Sequence, residues 1–395
     1  MKNSLIRFLI LLLIVTSCKS EKQTGKIIEE SLAFSTEQYL LMTDVMNEMP
    51  GLLPRSFSAE GQLITAKPDW WTSGFYPGCL WQLYEYSKDP RLLDAAKLMT
   101  DRVKDQIHNT GSHDVGFMIG CSFGNGYRIT GDAGCREAMI TAAKSLSTRF
   151  RPNIGLLQSW GSRREWQCPV IIDNMMNLEL LMDVFHLTGD SSFYRIATSH
   201  ADTTMKNHYR PDFSSYHVVS YDTITGKVEA RQTHQGYADE SAWARGQVWG
   251  LYGYTMMYRE TKLDKYLQHA QHIADFLIHH PNMPEDGIPY WDFNAPDIPN
   301  AKRDASAGAI MASALVELSG YVDTARSREY LQMAEKQIRT LSSPAYLAEK
   351  GKNGNFLLMH GVGHLPGKSE VDVPLTYGDY YYIEAMMRFR NLGNK

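Results

Sequence analysis

A helical pattern that repeats five times along the chain most strongly constrains its fold. Each copy has an apolar, aromatic-rich helix, a short turn that contains an aspartate, and a second, amphipathic helix. The turns read "YEYSKDPRLLDAAKLM", "YRITGDAGCREAMITAAKSL", "FHLTGDSSFYRIATSHA", "YRETKLDKYLQHAQHIADFL" and "SGYVDTARSREYLQMAEKQI". Their aspartates are Asp89, Asp132, Asp190, Asp264 and Asp323. Each aspartate is expected to cap the second helix by accepting hydrogen bonds from its free N–H groups. The pattern predicts five helical hairpins.

Two further helices complete the helix count. One precedes the hairpins ("EESLAFSTEQYLLMTDVMNEM") and one follows them ("YGDYYYIEAMMRFRNL"), and their pairing would close a ring of twelve helices. That number is typical of an all-α (α/α)6 barrel, here one domain over residues 31–395. In such a barrel the first helix of each hairpin is inner and apolar on all sides, and the second is outer and amphipathic. An open helical solenoid is the alternative, although its repeats would be shorter and more regular.

The N-terminal segment reads as an export signal that precedes the fold. Residues 1–17 contain Lys2 and Arg7, an apolar run too short to span a bilayer, and small residues before Cys18. The "VTSC" ending resembles a bacterial lipobox. This resemblance implies lipid attachment at Cys18, a polar tether over residues 18–30, and an exported lipoprotein that faces the periplasm or the cell surface. An ordinary signal peptide is the alternative.

Charge and cysteine content argue against several partners and cofactors. A formal net charge of -4 provides no strongly basic face, so nucleic acid is not expected as a partner. Four cysteines other than Cys18 form neither a CxxC motif nor a cluster with zinc spacing, so no metal or cofactor is expected. They are Cys79, Cys121, Cys135 and Cys168, and in a domain of this size they are expected to be buried small hydrophobic residues, with disulfide pairing in an exported chain as the alternative.

Six loops lead into the inner helices, and the barrel topology gathers them at one end. They read "DWWTSGF", "GSHDVGF", "VIIDNMMN", "YADESAWARGQVW", "AKRDASAG" and "PLTYGDYYY", and each carries an acid beside aromatic or small residues. A lone aspartate at such a position is commonly an N-cap, but six converging acids are not all explained in that way. The loops therefore predict a functional site at this end of the barrel.

Aromatic rings beside polar side chains indicate a carbohydrate site, because rings cover the apolar faces of sugars while polar groups bind the hydroxyls. The candidate rings are Trp71, Trp160, Trp243 and Trp249, with core packing as the alternative for each. Arg245 would be costly to bury without an anionic partner, and an acidic sugar is one group that could supply it.

Seven long motifs occur in the order "SGFYPG", "SHDVGF", "IDNMMNLELL", "HQGYADESAWARGQVWGLYG", "PYWDF", "DASAGAIMASAL" and "HGVGH" followed by "VDVPLTYGDYYYIEA". Together they resemble the unsaturated glucuronyl hydrolases of glycoside hydrolase family 88. The resemblance implies an (α/α)6 barrel that takes unsaturated uronyl disaccharides and short oligosaccharides produced by polysaccharide lyases, and removes the C4=C5 unsaturated uronic acid from the non-reducing end. It also implies that the reaction begins with hydration of the enol ether.

The resemblance assigns the catalytic roles to two aspartates. Asp173 would protonate C4 and activate water for attack at C5, and Asp114 would be the second essential aspartate. The apolar side chains of Ile171, Ile172 and Met175, together with the second carboxylate, are expected to raise the pKa of Asp173. A proton donor to carbon near neutral pH requires such a shift.

Further residues are assigned to substrate binding by the same resemblance. They are His113, Trp160, His217, Gln235 and Arg245, with the candidate rings Trp71 and Trp249. The loop with "HGVGH" is expected to contact the second sugar through His360, His364 and Lys368, since its glycines disfavour a helical zinc site. Two alternatives stay open: an unsaturated rhamnogalacturonyl hydrolase that acts on pectic products, and a glycan-binding lipoprotein without activity.

Overall fold

Helices make up most of the chain that the computed structural model describes, which is residues 2–163 and 165–392, with side chains from residue 23 onward. The α-helices are α1 (Lys2–Asn47), α2 (Phe75–Ser87), α3 (Pro90–Arg102), α4 (Asn125–Thr130), α5 (Ala133–Ser147), α6 (Asn174–Thr188), α7 (Ser191–Asn207), α8 (Ala244–Thr261), α9 (Asp264–His279), α10 (Ala305–Leu318), α11 (Thr324–Leu341) and α12 (Thr376–Leu392). A π-helix (Gly116–Gly124) runs directly into α4. Short 3-10 helices span Lys104–His108, Ser319–Tyr321 and Asn353–Asn355.

The inner helices form a closed ring. Going around it, α2, the π-helix with α4, α6, α8, α10 and α12 each pack against the next, and α12 packs against α2. The first helix, α1, contacts both α12 and α2, so the two terminal helices close the ring as expected. The predicted (α/α)6 barrel is therefore confirmed. Since an outer helix returns the chain after each inner one, the inner helices all begin at the same end of the barrel.

Side-chain composition decides which helices lie inside. In α8 every residue from Ala244 to Met257 is buried, and in α10 every residue from Ala305 to Val316. The outer helices bury only one stripe, with the three- and four-residue spacing of an amphipathic helix. In α9 that stripe is Tyr266, His269, Ala270, Ile273, Ala274 and Leu277.

In four of the five predicted hairpins, the turn aspartate caps the N-terminus of the second helix. Asp89, Asp132, Asp190 and Asp323 accept hydrogen bonds from N–H groups in the first turns of α3, α5, α7 and α11. The prediction for Asp264 was wrong, because this residue is already the first of α9 and follows the N-cap residue. Its carboxylate still lies at the positive end of the helix dipole.

Short antiparallel sheets, which the all-α prediction did not include, lie in the loops. They pair β1 (Leu53–Phe57) with β2 (Leu63–Ala66), β3 (Phe150–Arg151) with β4 (Leu156–Leu157), β5 (Cys168–Ile171) with β6 (Val218–Tyr221) and β6 with β7 (Val228–Gln232), and β8 (Gly361–His364) with β9 (Ser369–Val373). Ile171 pairs with Val218, and the Ile172 N–H donates to the His217 carbonyl at 3.0 Å. Because β5 leads into α6, this register brings His217 next to Asp173.

The predicted signal of residues 1–17 and the predicted lipid-attachment residue Cys18 lie outside the residues whose side chains are described. A polar tether was expected over residues 18–30. In the structure, the part of this segment nearer the barrel is helical, and Thr24 and Ile28 of α1 are buried. With Leu32, these residues form a stripe with four-residue spacing that packs on the barrel. No helix in the described part of the chain is long and apolar enough to cross a membrane.

The four cysteines of the barrel carry free thiols. Cys79, Cys121 and Cys168 are buried, as expected for small hydrophobic residues, whereas Cys135 is half-buried.

Candidate active site

Asp173 lies at the N-terminus of α6, but its carboxylate does not cap the helix. The residue is 8% exposed, and its Oδ2 is buried without a hydrogen-bond partner in the described structure. Burial raises the pKa of Asp173 to about 7, with Arg245 lowering it and Asp114 raising it. The indole N–H of Trp249 also lowers this pKa, although it makes no hydrogen bond of normal geometry. As expected, Asp173 is suited to hold a proton near neutral pH.

Asp114, in the loop before the π-helix, is a second carboxyl group with its side chain 15% exposed. Burial raises its pKa to about 7, against the opposing effects of Asn177 and Arg149. Asn177 stands one turn after Asp173 on α6, and its Oδ1 accepts a hydrogen bond from the Phe117 N–H at 2.9 Å. This contact joins α6 to the helix that follows Asp114.

The close approach of these two helices depends on a glycine. A Cβ at Gly116 would come within 2.5 Å of the Asn177 backbone and within 2.6 Å of its Oδ1. The absence of a side chain therefore allows the two aspartates to share one site.

The ring N–H of His217 lies next to the Asp173 carboxyl group. Its Nδ1 accepts the backbone N–H groups of His234 and Gln235, both at 3.1 Å, so the proton of the neutral ring is on Nε2. That Nε2 is 3.7 Å from Asp173 Oδ2. Burial lowers the pKa of His217 well below its usual value, which keeps the ring neutral.

His113 lies beside the other carboxyl group, although its Nε2 has no hydrogen-bond partner in the described structure. It is 2% exposed, and its Nε2 is 3.3 Å from Asp114 Oδ1. Burial lowers the pKa of His113 to about 3, so it too is a neutral ring near neutral pH.

Arg245 is bound by protein groups, and its anionic partner in the described structure is Asp304. The residue is 1% exposed, and its Nη1 is 3.1 Å from Asp304 Oδ2. The guanidinium also donates to the carbonyls of Val362 and Gly363 in β8. Its charge still reaches the site, since it lowers the pKa of Asp173.

The candidate tryptophans divide into two pairs. Trp243 and Trp249 are buried, with the Trp243 ring 4.5 Å from the His217 ring, so both support the site from within the protein. Trp160 and Trp71 are half-buried. The Trp160 ring lies 5.9 Å from the His217 ring and is thus available at the site, whereas Trp71 packs on Tyr377 at 4.9 Å.

The β8–β9 hairpin contains the predicted substrate-contact residues His364 and Lys368, with His360 directly before it, and of these three His364 lies beside the site. His364 Nε2 is 2.8 Å from the His234 carbonyl oxygen, and Gln235 Nε2 donates to the Gly363 carbonyl at 2.9 Å. His360 instead pairs with Asp372, at 2.6 Å between Nδ1 and Oδ1. Lys368 is exposed at the turn between the strands.

The acids of the other four loops have structural or solvent-exposed positions. Asp304 caps α10 and pairs with Arg245. Asp379 accepts the N–H groups of Leu357 and Leu358, each at 2.9 Å. Asp69 is exposed, and Glu240 pairs with Arg210. The loops therefore bring together two acids suited to chemistry, Asp114 and Asp173.

Two residues around Asp114 were not predicted. Asn177 had a local signal, its four-residue spacing from Asp173 in "DNMMN". Arg149 had none, since it follows the outer helix α5. It is 8% exposed, and its guanidinium donates to the carbonyls of Thr110, Gln158 and Ser159.

Comparisons with known proteins agree with this architecture. Residues 45–393 match the family model described as Glycosyl Hydrolase Family 88. The chain belongs to this family. The family recognised from the motifs is thus confirmed.

Relatives and solved structures of this family cover nearly the whole chain. An unsaturated glucuronyl hydrolase of Formosa agariphila is 42% identical over 384 residues, which span 95% of this chain and 94% of that protein. The crystal structure of an unsaturated glucuronyl hydrolase specific for heparin matches with 45% identity and a TM-score of 0.91, over 94% of this chain and 98% of the other. A Streptococcus agalactiae mutant enzyme in complex with dGlcA-GalNAc6S is 29% identical, with a TM-score of 0.78, over 92% and 91% of the two chains.

Proposed function

We propose that this chain is an unsaturated glucuronyl hydrolase that removes the C4=C5 unsaturated glucuronic acid from the non-reducing end of lyase-generated glycosaminoglycan oligosaccharides. The observation that carries the proposal is the pair of buried, unpartnered atoms of Asp173 and His217, 3.7 Å apart, in a family 88 barrel. Relatives named unsaturated glucuronyl hydrolase and unsaturated chondroitin disaccharide hydrolase support the substrate class.

The geometry around Asp173 fits hydration of an enol ether. Protonated Asp173, whose pKa is about 7, transfers its proton to C4. Water adds to C5 and returns one proton to the Asp173 carboxylate, so the residue ends as it began. The resulting hemiketal opens and releases the neighbouring sugar. Between the two proton transfers, the His217 Nε2–H and the N-terminus of α6 stabilise the carboxylate.

The remaining groups set the electrostatics of the site. All six inner helices begin at this end of the barrel, and their positive dipole ends favour the uronate of the substrate. Burial keeps the pKa of Asp173 high, and Asp114, the second carboxyl group, adds to this effect. Trp160 provides an aromatic ring beside His217.

The test follows the ultraviolet absorbance of the conjugated C4=C5 acid during incubation with lyase-generated disaccharides from chondroitin, hyaluronan, heparin and pectin. Wild type is expected to remove the absorbance of glycosaminoglycan products, and Asp173→Asn to leave it unchanged. Loss with the pectic product alone would favour an unsaturated rhamnogalacturonyl hydrolase. Retained ligand with no loss on any product would favour a glycan-binding protein.

We also propose that the chain is exported and lipidated at Cys18, as the "VTSC" sequence indicates. Metabolic labelling with a fatty-acid analogue is expected to mark the wild-type protein and not Cys18→Ser. Labelling of both, or of neither, would contradict lipidation at this residue.

A further inference from the structure

A cavity runs from Gly116 and Met176, near the start of the inner helices, toward the end of the barrel opposite Asp173. Its volume is about 570 Å³, within the range of small-molecule sites. Asp183 and His186, near the end of α6, and Arg388, near the end of α12, contribute to its lining. Because the inner helices all begin at the catalytic end, these residues mark the other end of the barrel. Phe117 lines the cavity and packs on Trp249 at 5.3 Å, so an aromatic layer separates it from the candidate active site.

Two features of the lining are unexplained by packing. Gly120, in the π-helix, lines the cavity, and a Cβ built there meets no neighbouring atom within 4 Å. Gln82, also in the lining, is 4% exposed, and its buried Oε1 has no hydrogen-bond partner in the described structure. Such an oxygen is costly to leave unpaired, and π-helical segments are frequent at functional sites.

Acidic groups outnumber basic side chains in the described lining. Five acids (Glu85, Glu179, Asp183, Glu260 and Glu384) face three arginines (Arg128, Arg259 and Arg388) and one histidine, His186, whose Nε2 is 2.8 Å from Glu260 Oε2. Arg128 is paired with Glu85, and Arg259 with Glu179 and Glu260. The C-terminal ends of the inner helices add negative potential at this end of the barrel.

Asp183 stands out among these acids, since no ion pair of its carboxyl group occurs in the described structure. It lies four residues after Glu179 on α6, on the same helix face. Burial and the Glu179 carboxylate raise the pKa of Asp183 well above its usual value, while Arg259 opposes the shift. A bound cation beside these two carboxyl groups would relieve their repulsion.

We propose that this cavity binds a small organic cation, an aliphatic diamine or polyamine, with one ammonium group at Glu179 and Asp183 and another that donates to Gln82 Oε1. The guanidinium of Arg259, held against Glu179, disfavours a compact divalent metal ion at the same place. The ring of Tyr380 lines the cavity and suits an ammonium group and its methylene chain, whereas the Tyr252 ring already lies under the Arg388 guanidinium. The proposal is independent of the reaction proposed for Asp173.

The test measures binding of spermidine to the purified chain by isothermal titration calorimetry at constant ionic strength, with magnesium chloride as a second probe. Saturable binding of one spermidine per chain is expected, with no comparable binding of magnesium. Asp183→Asn is expected to weaken spermidine binding about tenfold or more, as for loss of a charged hydrogen bond. Exposed Asp101→Asn, which removes the same charge elsewhere, is the matched control and is expected to bind as wild type.

A second variant tests the cavity rather than its charge. Gly120→Leu fills the open space and is expected to abolish spermidine binding while hydrolysis of the unsaturated disaccharide continues. Circular dichroism checks whether Gly120→Leu folds. If it does not, the spermidine affinity of the nearly isosteric Asp183→Asn still tests the proposal. Absence of saturable binding, equal binding of magnesium, or equal affinities of Asp183→Asn and Asp101→Asn would overturn the proposal.

Discussion

His217 Nε2 lies 3.7 Å from Asp173 Oδ2, and neither atom has a hydrogen-bond partner in the described structure. A buried polar atom without a partner costs about 1–3 kcal/mol. The folded chain thus loses stability at this position. Hydrogen bonds made by bound substrate, or by the ionised Asp173 carboxylate with His217, can offset that loss. Such a cost is expected at a site of chemistry and is not expected at a capping aspartate.

Replacement of His217 by glutamine tests its role as a hydrogen-bond donor to the Asp173 carboxylate. The variant is expected to lower kcat about 10- to 100-fold, because a hydrogen bond to a charged group contributes about 1.5–3 kcal/mol. KM should change little. Steady-state kinetics of His217→Gln beside His279→Gln, an exposed histidine outside the site, provide the measurement. A variant with unchanged kcat would remove His217 from the mechanism.

The pKa of Asp173 predicts a pH-dependent effect of Asp173→Asn on stability. Because its folded pKa of about 7 exceeds the ordinary value of 3.8, the folded state binds more protons between these pH values. The stability of wild type associated with this group is present below about pH 4 and lost as pH rises through 7. The free energy of unfolding of Asp173→Asn, relative to that of wild type, should therefore rise by on the order of 2–4 kcal/mol from pH 4 to pH 8.

Urea unfolding of both proteins at pH 5 and pH 8 measures this difference. Exposed Asp101→Asn is the control and should show no comparable gain. If Asp173→Asn has the same free energy of unfolding relative to wild type at both pH values, the raised pKa is contradicted.

Loss of Arg245 is expected to destabilise the fold as well as the site. Arg245→Met leaves Asp304 buried without its cation and frees two carbonyls of β8, which should cost about 3–5 kcal/mol. The double variant Arg245→Met/Asp304→Asn should lose less than the sum of the two single variants. Denaturant unfolding of all four proteins gives the coupling energy. Additive losses would show that the pair is not coupled.

Lys368→Ala is expected to change substrate preference and leave stability within about 0.5 kcal/mol, because the side chain is exposed at the β8–β9 turn. The ratio of kcat/KM for sulfated and unsulfated unsaturated disaccharides should shift by about fivefold, as for a single exposed charge pair of about 1 kcal/mol. Lys227→Ala, an exposed lysine after β6, is the control. Unchanged ratios would remove Lys368 from substrate recognition.

The helical architecture could be predicted from sequence because its signals are local. Inner helices were recognised by apolar residues on all sides and outer helices by a single apolar stripe, and a turn aspartate marked the start of most outer ones, as at Asp89 and Asp323. The same local pattern misplaced the cap of α9 by one residue, at Asp264. The importance of Asp173 and Asp114 was also predicted, from the motifs around them.

The partners of the site residues were decided by tertiary structure. Arg245 and Asp304 are 59 positions apart, and the sequence offered no reason to pair them rather than to assign the arginine to a sugar acid. Likewise, His360 turned out to pair with Asp372, while Asp379 binds backbone N–H groups.

The amino-acid sequence by itself determined the ring of helices and the acids at its mouth, since periodicity and capping act over a few residues. The tertiary structure decided which acids remain free for chemistry, because that depends on whether distant segments supply hydrogen-bond donors. Asp304 and Asp379 received such donors, whereas the Oδ2 of Asp173 received the N–H of His217 only at 3.7 Å, across the register of β5 and β6.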